Sequence, residues 1–214
     1  MPPNTPLTVQ FTREVPPLPY LPRNATLIVI DVQKGFDDPR WGGRNNPLAE
    51  SNISRILEAW RNARMPVIHT QHCSSEPASP LRPGVPGNEI KETATPLPAE
   101  PVLKKNVNSA FIGTDLESRL RSNQVKTVVL VGLTTDHCVS TTARMAANLG
   151  FDTYVVSDAT ATFDRTGPDG RRYTAEEIHT ANLVSLHKEF ATVINTEDLL
   201  KLASNTQTPT ATRR

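Results

Sequence analysis

The sequence predicts one α/β domain with a mostly parallel sheet covered by helices on both faces. Short apolar runs rich in β-branched residues alternate along the chain with segments whose apolar residues recur at helical spacing. The length of 214 residues suits one domain with a sizeable core. No internal repeat interrupts this alternation, so a layered sheet rather than a repeat array is expected.

Six segments have the composition of buried strands. Each is a short apolar run with turn-forming or polar residues at its ends. In chain order they cover residues 27–31, 66–70, 101–105, 125–132, 152–157 and 192–194. Strands separated by helices pair in parallel, and their carboxyl ends then meet at one edge of the sheet, where such folds bind ligands.

Four segments between these strands are predicted helices. The first has apolar residues on one face, namely Ile53, Ile56, Leu57 and Trp60. The third ends before Gly150, and glycine is a common helix stop. In chain order the predicted helices cover residues 47–64, 115–122, 138–149 and 174–190.

The predicted domain spans residues 24–203 and leaves both termini outside it. Residues 1–23 form a Pro-rich extension, and residues 204–214 form a polar tail that we expect to be disordered. Residues 71–101 contain many Pro, Ser and Gly and should form a long loop, a feature typical of lids and subunit contacts. Because this loop has apolar anchors, we expect it to pack on a neighbouring subunit of a homo-oligomer; the anchors are Leu81, Val85, Ile90 and Leu97.

Composition restricts the partners and the compartment. Lys and Arg number 23 and Asp and Glu 22, so the net charge of +1 favours neither nucleic acid nor a membrane surface as partner. No apolar run approaches the roughly 18 residues of a membrane helix, and the N-terminus lacks a signal-peptide pattern. The two cysteines, Cys73 and Cys138, indicate neither a disulfide framework nor a zinc cage, so we expect a cytoplasmic protein.

Three chemically reactive residue types follow separate strands. Asp31 ends the first strand, the pair Lys104 and Lys105 ends the third, and Cys138 lies just after the fourth. Cys138 is expected in the first turn of a helix, where free N–H groups favour a thiolate and could hold an oxyanion. Each residue alone could be structural, since Asp31 could cap a turn, either lysine could be solvated and Cys138 could be packed. Together they predict a nucleophile with its acid–base partners.

Three blocks closely resemble those of the isochorismatase-like cysteine hydrolases, in the family's order. They are residues 27–36 (LIVIDVQKGF), 105–111 (KNVNSAF) and 132–139 (GLTTDHCV), and the resemblance extends over about residues 25–200. It implies a three-layer α/β/α fold with a six-stranded parallel sheet in the order 3-2-1-4-5-6. It also implies a catalytic triad of Asp31, Lys105 and Cys138. Lys105 is favoured over Lys104 by its spacing to the Ser-Ala-Phe block and by strand alternation, which lets only one lysine face the site.

The resemblance further implies a cis peptide at Leu133–Thr134 and an oxyanion hole formed by the N–H groups of Thr134 and Cys138. The implied activity is hydrolysis of a small-molecule amide through a thioester, with Asp31 as the base. Family members that bind a metal carry a histidine shortly after the first strand, and residues 36–47 contain none. His69 and His72 are expected to be packed or hydrogen-bonded, so we predict no metal and no other cofactor.

Candidate substrate-binding residues lie beside the triad in the sequence: Gln33, Phe36, Trp41, Phe111 and His137. Core packing is an equal alternative for Phe36 and Phe111. Three arginines in a polar loop could meet a substrate carboxylate, although a solvated face is favoured: Arg165, Arg171 and Arg172. Two further functions stay open: vinyl-ether cleavage of the isochorismatase type with Asp31 and Lys105, and a non-catalytic interaction protein on the same scaffold.

Overall fold

Six parallel strands form one sheet in the order β3-β2-β1-β4-β5-β8 in the computed structural model, which describes residues 20–205. This is the predicted order, with β8 as the sixth strand of the sheet. The strands are β1 (Thr26–Ile30), β2 (Val67–His72), β3 (Val102–Lys105), β4 (Thr127–Leu133), β5 (Asp152–Ala161), β6 (Arg165–Thr166), β7 (Arg172–Tyr173) and β8 (Thr192–Ile194). The helices are α1 (Ala49–Asn62), α2 (Leu116–Ser122), α3 (Ser140–Asn148), α4 (Ala175–Leu186) and α5 (Thr196–Ser204).

Helices cover both faces of the sheet, which gives the three-layer α/β/α arrangement. One core lies between the sheet and the helices α1 and α5, and the other lies between the sheet and α2, α3 and α4. Alternation along β1 divides its residues between the two: Leu27 and Val29 join the first core, and Ile28 and Ile30 join the second. Every residue of β1 is therefore buried, as expected for a central parallel strand.

The structure differs from the predicted elements near the C-terminus. The segment predicted as a polar loop contains a two-stranded antiparallel hairpin of β6 and β7. Helix α4 ends at Leu186 instead of Phe190, and Lys188 just beyond it has a positive φ of 70°, which does not continue a helix. Helix α5 was not predicted, although its N-cap Asn195 accepts a hydrogen bond from the backbone N–H of Asp198.

The termini of the chain fall only partly within the described structure. Most of the predicted extension (residues 1–19) and tail (residues 206–214) lie outside the described residues. Leu21, which the prediction assigned to the extension, is buried in the core between the sheet and α1. Within residues 20–205, no helix combines the length and apolar character that crossing a bilayer requires.

The long loop after β2 is anchored within its own chain by both apolar and charged residues. Leu81 is buried beside the apolar residues that follow β1, and the backbone N–H of Lys91 donates to Val32 O. Lys91 Nζ lies 2.8 Å from Glu50 Oε1, and Arg44 binds both oxygens of the same carboxylate. Burial by itself would raise the pKa of Glu50, but these hydrogen bonds lower it to about 2. Of the four expected apolar anchors, only Leu97 is largely exposed.

Candidate active site

A buried ion pair lies at the carboxyl edge of the sheet, where β1 and β3 end. Lys105 Nζ is 2.5 Å from Asp31 Oδ2, and both side chains are completely buried. The other carboxylate oxygen, Oδ1, accepts a hydrogen bond of 2.6 Å from the hydroxyl of Thr70 on β2. Both Asp31 oxygens therefore have fixed partners, which holds the carboxylate in one orientation.

Strand alternation decides which lysine reaches this pair. In β3, Leu103 and Lys105 are buried and Val102 and Lys104 are exposed. Lys105 Nζ also donates to Val107 O at 3.1 Å and lies 3.4 Å from Cys138 Sγ. The structure thus places Lys105, and not Lys104, between the carboxylate and the thiol.

Cys138 is held by a tight helical turn between β4 and α3. Residues Thr135–Val139 form one turn of π-helix, which α3 continues from Ser140. The peptide bond Leu133–Thr134 just before this turn is cis. The carbonyl of Thr134 accepts hydrogen bonds from the N–H groups of His137 and Val139, and the Thr134 hydroxyl has no partner among residues 20–205.

The expectation of a readily ionised thiol at Cys138 is wrong for the resting site. Burial raises the pKa of this thiol, the nearby Asp31 carboxylate raises it further, and Lys105 opposes both effects. The Sγ atom lies within 4.8 Å of an Asp31 carboxylate oxygen. The thiol is therefore neutral in the resting site.

His72, the last residue of β2, lies beside Lys105 and Asp31, a position that the sequence analysis missed. Its Nδ1 lies 3.3 Å from Lys105 Nζ and 4.0 Å from Asp31 Oδ2. Burial lowers the pKa of His72, and the Lys105 ammonium lowers it further, so the ring is neutral. A signal for His72 did exist in the sequence, because Thr70 and His72 lie two residues apart at a strand end and so share a face.

Asn108, whose Oδ1 is 3.8 Å from Cys138 Sγ, is a second residue at the site that the sequence analysis missed.

Gln33 has a different role from the predicted substrate contact. Its side chain is completely buried, its Nε2 donates to the carbonyls of His72 and Asn88, and its Oε1 accepts from the N–H of His72. Both amide protons and one lone pair of Oε1 are used within the protein, and the completely buried side chain presents no surface to a ligand. It fixes the end of β2 instead.

Phe111 also differs from the prediction, because its ring packs in the core. It stacks on Phe151, at a centroid distance of 6.0 Å, beside the core between the sheet and α2, α3 and α4. This placement agrees with core packing, the alternative given for Phe111.

His137 is exposed, with its Nε2 3.4 Å from Asp136 Oδ2.

An aromatic cluster of Phe36, Trp41 and Phe163 lies next to the nucleophile turn. The ring centroids are 5.5 to 6.1 Å apart, and the cluster packs against Leu133, which directly precedes Thr134. The Trp41 indole N–H donates to Gly35 O at 2.7 Å, so the ring is fixed while part of it stays accessible. Phe36 and Trp41 thus remain candidates for a wall of the substrate pocket.

The three loop arginines are already paired within the protein. Arg165 donates from Nε to Asp136 Oδ2 at 2.8 Å. Arg171 lies over the Tyr173 ring and near Glu177, and Arg172 is paired with Asp164. Arg171 and Arg172 are thus paired at the surface, whereas Arg165 also has a buried Nη2 with no hydrogen-bond partner among residues 20–205.

The site contains one set of potential metal ligands, but its centre is filled by a cation. Among the described residues, only Asp31, His72 and Cys138 bring three candidate ligand atoms within 4.8 Å of one another. Lys105 Nζ lies within 3.4 Å of an atom of each of these three residues. An ammonium in this position repels a metal ion, so the donor set does not fit one. His69 cannot assist, because it hydrogen-bonds Glu100, 31 residues away in sequence.

A family model for the isochorismatase domain matches residues 25–198, which include the whole site. This chain belongs to the isochorismatase family. The family member YrdC of Bacillus subtilis is 52% identical over 174 residues, covering 81% of this chain and 93% of that protein. Nicotinamidase 3 of Arabidopsis thaliana is 31% identical and covers 82% of this chain and 86% of its own length.

Solved structures of the isochorismatase family share the fold. The crystal structure of a family protein from Chromobacterium violaceum superposes with a TM-score of 0.84 at 42% identity, covering 87% of this chain and 96% of that one. Together with the amidohydrolases among its relatives, this identifies the chain as a hydrolase of the isochorismatase family.

Proposed function

We propose that this protein is a cysteine hydrolase that cleaves the C–N bond of a small carboxamide through a thioester. One observation carries the proposal: the Lys105 ammonium contacts both the Asp31 carboxylate and the Cys138 sulfur in a buried site. A thiol, a base and a cation within contact of one another meet the requirements of nucleophilic catalysis. Amidohydrolases among the relatives, such as nicotinamidase 3, support the same reaction class.

In the first half-reaction, Asp31 takes the proton of the Cys138 thiol while the sulfur attacks the carbonyl carbon. The S–C bond forms, the C–N bond breaks, and Asp31 gives the proton to the departing nitrogen, which leaves as ammonia or an amine. In the second, Asp31 takes a proton from water as the water oxygen attacks the thioester. The S–C bond then breaks, the carboxylic acid leaves, and Asp31 returns its proton to the Cys138 sulfur, which restores the thiol. General acid–base help of this kind supplies ~10²–10⁴ in rate.

The carbonyl oxygen becomes negatively charged in both tetrahedral intermediates. We propose that the N–H groups of Thr134 and Cys138 hold it, since Thr134 is the N-cap of the turn and Cys138 lies within it. One such donor typically contributes ~3 kcal/mol to transition-state stabilisation.

We propose that Phe36 and Trp41 form one wall of the pocket for a small planar substrate. We further propose a cytoplasmic site of action, where both cysteines stay free.

A panel of small aliphatic and aromatic carboxamides, assayed for ammonia release, tests the reaction. For any substrate found, rapid acid quenching and intact-mass measurement should show an acyl group added to the wild-type chain. Cys138→Ala should form neither adduct nor product, and Cys73→Ala serves as the matched thiol control. Ammonia release by Cys138→Ala within tenfold of wild type would exclude covalent catalysis.

Vinyl-ether hydrolysis is the second candidate, favoured by the description of the matching family model as an isochorismatase domain. In that reaction Asp31 and Lys105 act without a covalent intermediate, so Cys138 is dispensable. Isochorismate in the same panel, assayed for pyruvate, distinguishes the two. Pyruvate release that survives Cys138→Ala, without amidase activity in the wild type, would favour this candidate.

A further inference from the structure

The Lys105 ammonium has more hydrogen-bond acceptors around it than protons to donate. Its three protons face four acceptors: Asp31 Oδ2 at 2.5 Å, Val107 O at 3.1 Å, His72 Nδ1 at 3.3 Å and Cys138 Sγ at 3.4 Å. The charged oxygen and the backbone carbonyl are the two shortest contacts and hold two protons. His72 and Cys138 are left to compete for the third.

The His72 ring can accept a hydrogen bond from the Lys105 ammonium only if its Nδ1 carries no proton. An ammonium donates and cannot accept, so the nitrogen facing it must carry a lone pair. Burial and the adjacent Lys105 charge both keep the imidazole neutral, and the titratable groups that face it are Asp31, Lys105 and Cys138. A neutral nitrogen is a better acceptor than a thiol sulfur but a weaker one than a thiolate.

The position of His72 is fixed by contacts on both sides of its backbone. Its N–H donates to Gln33 Oε1 at 2.8 Å, and its carbonyl accepts from Gln33 Nε2 at 3.0 Å and Asn88 Nδ2 at 2.8 Å. Both amide side chains are buried, and His72 lies directly opposite Lys105 in the β2–β3 pairing. Gln33 and Asn88 therefore fix the backbone of His72, and the strand pairing places its side chain next to that of Lys105.

We propose that His72 is a positioning residue that holds the third Lys105 proton while Cys138 is a thiol and releases it when the thiolate forms. Forming the thiolate then costs the His72–Lys105 hydrogen bond, which delays ionisation until a substrate carbonyl is in place. This inference rests on the proposed nucleophilic role of Cys138. It adds that the imidazole regulates when the sulfur is activated.

The pH dependence of Cys138 alkylation by iodoacetamide tests this inference without any substrate. The full chain carrying Cys73→Ala reports on the one remaining thiol. His72→Leu removes the competing acceptor, so the measured thiol pKa should fall by about one unit, a roughly tenfold rise in alkylation rate at neutral pH. His72→Asn places an amide oxygen near the position of Nδ1 and should keep the wild-type profile.

An unchanged or raised thiol pKa in a folded His72→Leu variant would overturn the inference. Equal pKa shifts in the His72→Leu and His72→Asn variants would overturn it as well.

If His72→Leu does not fold, nitrogen-15 NMR of the His72 ring in the chain carrying only Cys73→Ala is the test. The Nδ1 resonance should show a step at the pH where Cys138 ionises, and Cys138→Ala should abolish it. Absence of that step also refutes the proposal. Failure to hydrolyse any amide would count against the proposed function alone, since neither measurement uses turnover.

Discussion

The hydroxyl of Thr70 donates a 2.6 Å hydrogen bond to Asp31 Oδ1, the carboxylate oxygen that Lys105 does not contact. The two oxygens of the base are thus held by different strands, β2 and β3. Since Lys105 also contacts the nucleophile, the Thr70 contact is the one that fixes the carboxylate without touching the sulfur. This separation makes the orientation of the base testable on its own.

Thr70→Val should lower the turnover number about tenfold and destabilise the fold, because it leaves one oxygen of a buried charge unpaired. Hydrogen bonds to charged groups contribute roughly 1.5–3 kcal/mol. Thr70→Ser keeps the hydroxyl and is the matched control. Steady-state kinetics and denaturant unfolding measure both effects, and equal activity of the Val and Ser variants would contradict the assigned role of the hydroxyl.

Lys105→Ala should reduce kcat/KM by at least ~10²-fold, because the Asp31 charge and the sulfur both lose their cation. Lys104→Ala, one residue away on the exposed face of β3, should change it little. Amide hydrolysis by the two variants, with thermal melting to verify folding, provides the comparison. A severely impaired Lys104 variant beside an active Lys105 variant would mean that the β3 register is wrong.

Glu50→Gln should cost on the order of 3 kcal/mol of unfolding free energy at pH 7, since Arg44 and Lys91 lose their shared buried partner. The pKa of Glu50 is about 2 in the folded state and 4.5 for the free group, so its contribution is complete above pH 4.5. It is lost as the pH falls from 4.5 to 2.

Urea unfolding at a series of pH values measures this difference, which should shrink as the solution becomes more acidic. Glu58→Gln, on the same helix but exposed, is the matched control and should be nearly neutral. A wild-type advantage over Glu50→Gln that stays constant down to pH 3 would argue that the ion pairs contribute nothing.

Exhaustive chelation should leave hydrolysis unchanged, because the Lys105 ammonium occupies the centre of the candidate ligand set. Elemental analysis of the purified protein, with activity measured before and after chelation, tests this. Stoichiometric metal whose removal abolishes activity and whose return restores it would refute the prediction.

We still expect a homo-oligomer at micromolar concentration, with the loop after β2 in or near an interface. Leu97 in this loop and Val184 on α4 are exposed apolar residues that could form such contacts. Light scattering should give a multiple of the 23.5 kDa chain mass. A mass near one chain across that concentration range would show a monomer.

The six strands of the sheet, four of the five α-helices within residues 20–205 and the proximity of Asp31, Lys105 and Cys138 could be predicted from the sequence, because these features depend on local patterns. Apolar runs mark the strands, alternation separates Lys105 from Lys104, and three short blocks carry the resemblance. Gln33 could not be assigned in this way, since its partners His72 and Asn88 lie 39 and 55 residues away. The resting thiol was misjudged for a related reason: the helical turn was visible in the sequence, but the burial and the Asp31 charge around Cys138 were not.

The four side chains at the reacting centre have no net charge. The Asp31 carboxylate and the Lys105 ammonium cancel, and the Cys138 thiol and His72 imidazole are neutral at rest. Such a centre has no net charge with which to favour anionic, neutral or cationic amides. We therefore expect the surrounding loops to select between them, so that loop substitution could change substrate preference while the proposed chemistry is retained.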